Sequence, residues 1–388
     1  MAVADVKRIP KGIGLINIPN GHPYIRVRDL NNKRLLELDN SYEYVDNETQ
    51  KVISKYTVKT GDVVLSIVGT IGLVAIVGRT LDGANLTENC VKLSSFHGVN
   101  RGFLYYYLRS DCGQQEIRCG TVGAVQAKLP IKNIQNIAIN LPDYTTQERI
   151  VSLLLSIDRK IELNQKINDN LEQQAVTYFQ ELYINNANPM WQIGTISDLG
   201  TVVGGSTPSK TKPEYYTNNG IAWITPKDLS INKSKFISHG ENDITELGLK
   251  NSSATVMPKG TVLFSSRAPI GYIAIASNEV TTNQGFKSVV PYLEIGTAFV
   301  YFFLKHSLPV IESAASGSTF KEISGSAMKN IPAIIPDRST LDQFNSFCAP
   351  IFAQQKILED QNYSLAMLRD SLLPKLMSGA IDIASIQL

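Results

Sequence analysis

From Thr146 to Tyr183 the chain contains neither Pro nor Gly, and its apolar side chains recur at alternating steps of four and three. Ile150, Leu154, Ile157, Ile161 and Leu171 carry this spacing, with Asn164 and Asn168 filling the gap in the same stripe. A period near 3.5 predicts a long helix with a coiled-coil seam. Its start is expected at Thr145-Thr146-Gln147-Glu148, a capping hydroxyl followed by acid. A second stripe, Phe344, Ile351, Leu358, Leu365 and Leu372, repeats the first at an offset of 194 and predicts a helix from about Thr340 to Met377. Pro350 is expected to kink or restart that helix, because it removes a hydrogen bond and crowds the preceding turn. Ser378-Gly379 supplies the stop. The first helix, 38 residues from 146 to 183, would reach about 57 Å at the usual rise. A 150-residue globule is only about 30 Å across. The two helices are therefore expected to pack on each other, antiparallel, with the seam amides fixing register.

The regions ahead of each helix also repeat. TGDVVLSIVGTIGLVAIV from Thr60 matches KGTVLFSSRAPIGYIAIA from Lys259 at an offset of 199, pairing Gly61 with Gly260 and Gly72 with Gly271. YIRVRDL from Tyr24 matches WITPKDL from Trp223, and FLYYYLRS from Phe103 matches FVYFFLKH from Phe299. The Val- and Ile-rich runs bounded by Gly read as strands, and the aromatic runs as short buried helices. The fold class is α+β: two globular domains on two long helices that form an antiparallel coiled coil, with a pseudo-two-fold internal repeat. The predicted domains are 1–145 and 186–338, and the helices 146–185 and 339–388. One mismatch stands out. The segment Trp191 to Gly205 finds no match in Asp5 to Ile9, which puts the leading strand of the first domain in doubt.

Composition narrows the class. Apolar residues make up 43% of 388 residues, enough for real cores. Cys90, Cys112, Cys119 and Cys348 form no C-x-x-C pair, which argues against a zinc ribbon or a disulfide scaffold. No long apolar run or secretory leader is evident, so no membrane and a cytoplasmic location are expected. Net charge is only +2, but it alternates: residues 1–145 are net +4, 146–183 net −2, 184–338 net +2 and 339–388 net −2. A polyanion would meet the two basic blocks. Two similar but non-identical globules held apart by helices suit two different DNA half-sites roughly one helical turn, about 34 Å, apart.

On QERIVSLLLSIDRKIELNQKINDNLEQQA from Gln147, LRDSLLPKLMSG from Leu368, VGGSTPSKTKPEYY from Val203, IAWITPKDLS from Ile221, LTENCVKL from Leu86 and TTNQGFKSV from Thr281, the chain resembles the specificity subunits of type I restriction–modification systems. The resemblance covers essentially the whole length. It implies two target recognition domains that each read half of an asymmetric, bipartite site in double-stranded DNA. It also implies a coiled coil that docks two modification (methyltransferase) subunits and the restriction (translocase/nuclease) subunits. The chain itself would then catalyse nothing and hold no cofactor, with S-adenosylmethionine, ATP and Mg on the partner subunits.

Other chemistry finds little support. Pro142-Asp143 followed by Asp158-Arg159-Lys160 mimics a nuclease motif, but Asp158 and Lys160 flank a helical seam instead of clustering on a hairpin. No P-loop occurs, and His22, His97, His239 and His306 are scattered, with no i, i+4 pair. Candidate DNA contacts are the residue types that meet phosphates and base edges. Arg26 and Arg28 are expected to alternate on one strand face, with Lys227 opposite Arg28 in the repeat. Lys210 and Lys212 lie in a Pro-flanked loop, and Lys92 and Lys287 follow the matched Asn segments. Arg267 sits in SSRAPIG, where the resemblance implies Arg near DNA. Its repeat partner is Val68, and Gly69-Thr70 offers the first domain backbone N–H groups there. The rival reading is a coiled-coil scaffold or silent variant with no DNA contact of its own.

Overall fold

The computed structural model describes residues 2–4, 9–10, 12–31, 33–267, 269–317 and 321–383. It divides into two compact units, Met1–Lys160 with Ser364–Leu388, and Ile161–Tyr363.

In the first unit, β1 (Ala2–Ala4), β2 (Leu35–Leu36), β3 (Val63–Ser66), β4 (Val74–Val77) and β5 (Cys90–Ser94) form one sheet in the order β1-β5-β3-β4-β2. All neighbours run antiparallel except β2 and β4. The central strands are continuous apolar runs because both faces are covered. Val63, Leu65, Val74 and Ile76 face α1 (Arg101–Arg109), with its buried Tyr105 and Tyr106. Val64, Ala75 and Val77 face a second core with Ile25, Leu30 and Leu81. A small sheet places Pro23–Ile25 between Glu43–Tyr44 and Asn85–Leu86.

The second unit repeats this design. β6 (Gly200–Gly204), β7 (Phe236–Ile237), β8 (Val262–Ser266), β9 (Ile270–Ala276) and β10 (Lys287–Pro291) are ordered β6-β10-β8-β9-β7, again with only the last pair parallel. The aromatic helix is α3 (Thr297–His306). Gly61 and Gly260 hold φ of +87° and +89°, and Gly72 and Gly271 hold +93° and +96°, a region closed to most side chains. The hairpin turns are tied alike. Ser66 Oγ donates to the Thr70 carbonyl (2.6 Å) and accepts from Leu73 N (2.8 Å). Ser265 Oγ bonds Pro269 O (2.8 Å) and Tyr272 N (2.7 Å) in the same way.

The doubt over the first domain's leading strand is resolved by this topology. β1 pairs with β5, placing Ala4 opposite Lys92, just as β6 pairs with β10 and places Gly204 opposite Lys287. Asp5 to Arg8 lie outside the described residues. The second unit adds a further ribbon, Gln192–Thr195 against Pro332–Ile335.

The long helices are α2 (Tyr144–Phe179), which continues as a π-helical stretch Gln180–Asn185, and α4 (Arg338–Met377). Each contributes one segment to each unit. In the second unit Asn164 Nδ2 donates to Asn362 Oδ1 (2.9 Å), Gln355 Nε2 donates to Asn168 O (3.1 Å), and Tyr178 lies 4.3 Å from Phe347, ring centre to ring centre. One number rises as the other falls, so the helices run antiparallel. In the first unit Asp158 pairs with Arg369 (2.9 Å), and Ile150 and Leu154 share a core with Leu373, Leu376 and Met377. The predicted seam is largely buried. Ile150, Leu154, Ile157, Asn164, Phe344, Ile351 and Leu358 are buried, and Ile161, Leu171, Leu365 and Leu372 half-buried. The seam serves two purposes, however. Its ends also pack into the cores beneath the aromatic helices, so pairing and domain packing are not alternatives.

Two local expectations are corrected. The start of α2 is capped by Asp143, whose carboxylate accepts from Thr146 N (3.0 Å), and not by the Thr pair. Pro350 does not interrupt α4. Pro350 and Ser346 both lie on the exposed face, where water can satisfy the Ser346 carbonyl that Pro cannot, while Cys348 and Ile351 stay buried. The glycine stop holds: Gly379 has φ +73°, and Gly379 N reaches Leu376 O (3.4 Å). Among the described residues no helix is long and apolar enough to cross a membrane.

Candidate nucleic-acid interface

Segments far apart in sequence meet at the hairpin end of each five-stranded sheet. In the second unit the Gly-Gly-Ser-Thr segment lies against the Thr282-Asn283 strand end, with Ser206 N donating to Thr282 O (2.9 Å). A Cβ on Gly205 would overlap the Asn283 carbonyl, so only glycine permits this approach. Asn283 N donates to Ile224 O (3.0 Å), which brings in Thr225 to Lys227, and Ser266 N donates to Gly285 O (2.7 Å), which brings in Arg267. Trp223 Nε1 closes the set on Ser206 O (3.0 Å). The first unit converges similarly. Thr87 N bonds Ile25 O (3.0 Å) and Ile67 N bonds Asn89 O (2.7 Å), placing Arg26 and the Thr70 turn at one end.

The candidate cations are mostly held by carboxylates. Arg26 and Arg28 are not on one strand. Strand pairing ends at Ile25, and Val27–Leu30 is a 3-10 helix that Asp29 caps through Arg26 N (2.7 Å). The 3-10 turn nonetheless brings both guanidinium groups to Glu43, with Arg28 Nη2 at 2.7 Å. Lys227 lies in the first turn of a short helix, Pro226–Ile231, and pairs with Glu241 (2.6 Å), both exposed. Arg267 and Lys287 flank Glu322 at 3.4 and 3.6 Å. Lys212 reaches Glu214 (3.9 Å), and Lys210 is exposed on the same loop. Thr70 is exposed at its turn. Lys92 is turned inward instead, and its ammonium donates to Thr57 O (2.6 Å).

Two features escaped the sequence. The bridge Val68–Lys128 in the first unit matches Arg267–Glu322 in the second, so Lys128 stands where the other half has an acid. This loop falls between the segments whose sequences match. The second is a buried ionic cluster. Lys235, 7% exposed, pairs with Glu172 on α2 and donates to Gln355 Oε1 on α4 (2.6 Å), while Lys305 pairs with the same Glu172 (2.6 Å). Phe352, Tyr301 and Phe302 surround the Lys235 ammonium at 4.2, 4.9 and 5.4 Å. Glu359 accepts from the N–H groups of Lys235 (2.8 Å) and Phe236 (3.1 Å) at the sheet edge. Burial works against the charge of Glu172, but the two ammonium groups outweigh it and hold its pKa below the usual range. No spacing marks Lys235 in advance.

The nuclease-like residues have structural roles. Asp158 is buried between Tyr106 Oη (2.6 Å) and Arg369, and Asp143 is a helix cap. Burial and the Asp158 charge push the Tyr106 phenol well up. Burial likewise raises the Cys348 thiol to about 12, as befits a core residue. Among the described residues no three His, Cys, Asp or Glu side chains form a group that could hold a metal ion.

Fold and site together define a class: a duplicated α+β module, each copy packed on one antiparallel pair of shared helices. The chain belongs to the family of type I restriction modification DNA specificity domains, whose model matches residues 3–173 and 188–360. It is 43% identical over 162 residues to the type I restriction enzyme MjaIX specificity subunit of Methanocaldococcus jannaschii, spanning 41% of this chain but only 37% of that one. It is 23% identical over 341 residues to the HindI specificity subunit of Haemophilus influenzae, spanning 69% of this chain and 73% of that one. In fold it is similar to the crystal structure of a type I restriction–modification system S subunit from M. genitalium, with a TM-score of 0.55, 15% identity, and coverage of 97% and 93% of the two chains.

Proposed function

We propose that this chain is the specificity subunit of a type I restriction–modification complex and reads an asymmetric, bipartite site in double-stranded DNA, one half per recognition domain. The observation that supports this reading is the repeat itself. The same backbone presents Arg267 with Glu322 in one half and Val68 with Lys128 in the other. Identical scaffolds with different side chains suit two different half-sites. Arg26, Arg28, Thr70 and Lys128 in the first half, and Lys210, Lys212, Lys227, Arg267 and Lys287 in the second, are the proposed contacts. Lys92, already engaged with a carbonyl, is better suited to holding its strand end. DNA phosphate would replace Glu43, Glu241 and Glu322 as partner of these cations, so affinity should fall steeply with salt.

Docking of two modification subunits and the restriction subunits belongs to the helices. Leu163 and Ile167, one turn apart on α2, are 52% and 36% exposed, and Ile357 on α4 is 50% exposed. Apolar side chains left in water on a helix suit a protein partner. The chain acts without catalysis or cofactor of its own, in the cytoplasm, with S-adenosylmethionine, ATP and Mg on the partners. A map of methylated adenines with and without this gene is the direct test. Loss of a single bipartite motif on deletion supports the reading. Survival of every motif, together with salt-insensitive or absent DNA binding by the assembled complex, favours a scaffold or silent variant.

A further inference from the structure

The first unit contains a cavity of about 430 Å³ that lies apart from the hairpin end. Its walls come from the far ends of β2 and β4, the start of α1 and the outer face of α2. Arg79, Arg101 and Arg159 line it, together with Arg34, which has a partner of its own, and the carboxylate on its wall is Glu37. Glu37 is already engaged, accepting from Thr80 N (3.0 Å), Thr80 Oγ1 and Arg79 N (3.3 Å). The Arg101 guanidinium lies directly on the backbone of Gly61, where any Cβ would overlap it. Tyr105, Leu35, Val151 and Leu155 supply apolar wall between the cations.

The internal repeat provides a control. Ile76 N bonds Arg34 O (2.8 Å) as Ile275 N bonds Lys235 O (2.7 Å), so Arg34 stands where Lys235 does. Further along the repeat, where indels change the offset to 199, 196 and 194, Arg79 corresponds to Asn278, Arg101 to Thr297 and Arg159 to Ala353. In the second unit three of the four cations are gone. The fourth is matched by Glu172, and Thr297 Oγ1 simply donates to Gly260 O (2.9 Å). The first unit has gained three positive charges around the same space and one carboxylate, Glu37, which stands where the second unit has Ser238.

We propose that this cavity of the first half is a binding site for phosphate groups. Several guanidinium forks around one space match an anion with many oxygens and more than one charge, and exceed what a single carboxylate needs. The phosphates can come from a free polyphosphate or from a nucleic acid backbone. The site does not depend on the sequence-reading role and stands or falls separately from it.

Isothermal titration of the full chain with inorganic tripolyphosphate tests the site. One saturable site per chain is expected, weakened about tenfold by Arg101→Gln, the size expected for losing one charge-assisted hydrogen bond. Arg159→Gln, on the exposed helix face, should do the same should Arg101→Gln disturb folding. Lys250→Gln, which removes equal charge elsewhere, should leave binding unchanged. If the backbone is the source, tripolyphosphate displaces non-specific duplex and Arg101→Gln flattens the salt dependence of duplex binding. If a free polyphosphate is the source, duplex binding is untouched by Arg101→Gln. Absence of a saturable site, equal loss in Lys250→Gln, or preference for polyglutamate over tripolyphosphate would overturn the proposal.

Discussion

Lys235 shows what a single side chain can decide. Its ammonium is buried among three rings and one carboxylate, and its neighbours come from both long helices and from α3. Removing it leaves Glu172 with Lys305 alone and Glu359 without its nearest cation. Lys235→Ala should therefore cost on the order of 3 kcal/mol at neutral pH, the usual penalty for breaking a buried pair, measured by urea unfolding. The sign of the pH effect follows from Glu172. Its folded pKa is lowered, so its contribution is present above the ordinary 4.5 and is lost as pH falls below it. The gap between wild type and Lys235→Ala should shrink in that acid range. A gap independent of pH would mean the lysine acts through its aliphatic packing alone. Nothing in the sequence marked this residue, because a lone Lys in Asn-Lys-Ser-Lys-Phe reads as solvated surface until the fold brings Glu172 to it. Arg26 and Arg28 were legible as a pair, but the 3-10 turn that aims them was not. Residues two apart share a face on a strand, and one capping aspartate ended the strand before they were reached.

At the scale of elements, periodicity carried most of the information. The 3.5-residue stripe located both long helices, the internal repeat implied their antiparallel sense, and the glycine pairs located the two hairpins. Boundaries and interruptions depended on local chemistry instead. Asp143 outcompetes the neighbouring threonines as a cap because its carboxylate takes both the amide and the hydroxyl of Thr146. Pro350 is tolerated because its missing bond falls on the water side. Replacing it should help: Pro350→Ala restores one helical hydrogen bond and should raise stability by about 1–3 kcal/mol, near the propensity difference in a helix interior. A higher urea midpoint with an unchanged slope would confirm a continuous helix. No gain would mean the helix is already broken there in solution.

For the whole molecule, the duplication matters more than either copy. Each half keeps its cations behind its own acid, Glu43 in the first and Glu322 in the second. Glu43→Gln should release Arg26 and Arg28 for phosphate, and Glu322→Gln should release Arg267 and Lys287. Each ought to raise duplex affinity several-fold at low salt and steepen the dependence on log salt by up to about 1 per new contact. Competition between duplexes altered in one half-site or the other reads this out. The two substitutions should each affect discrimination in only one half, and a uniform effect across both would show that the acids act on the net field. The two-copy plan was plain in the sequence. The basic cavity of the first copy was not, because its four arginines are scattered from Arg34 to Arg159 and only the fold gathers them.

The chain's two tryptophans, Trp191 and Trp223, both belong to the second copy. Trp191 stacks on Tyr183 beneath the long helices and donates to Asp337 (3.0 Å), while Trp223 braces the glycine-rich segment at the hairpin end. Intrinsic emission is thus an optical label that nature has placed on one half only. A ligand that shifts the spectrum is engaging or rearranging the second copy, whereas one that binds without changing it points to the first.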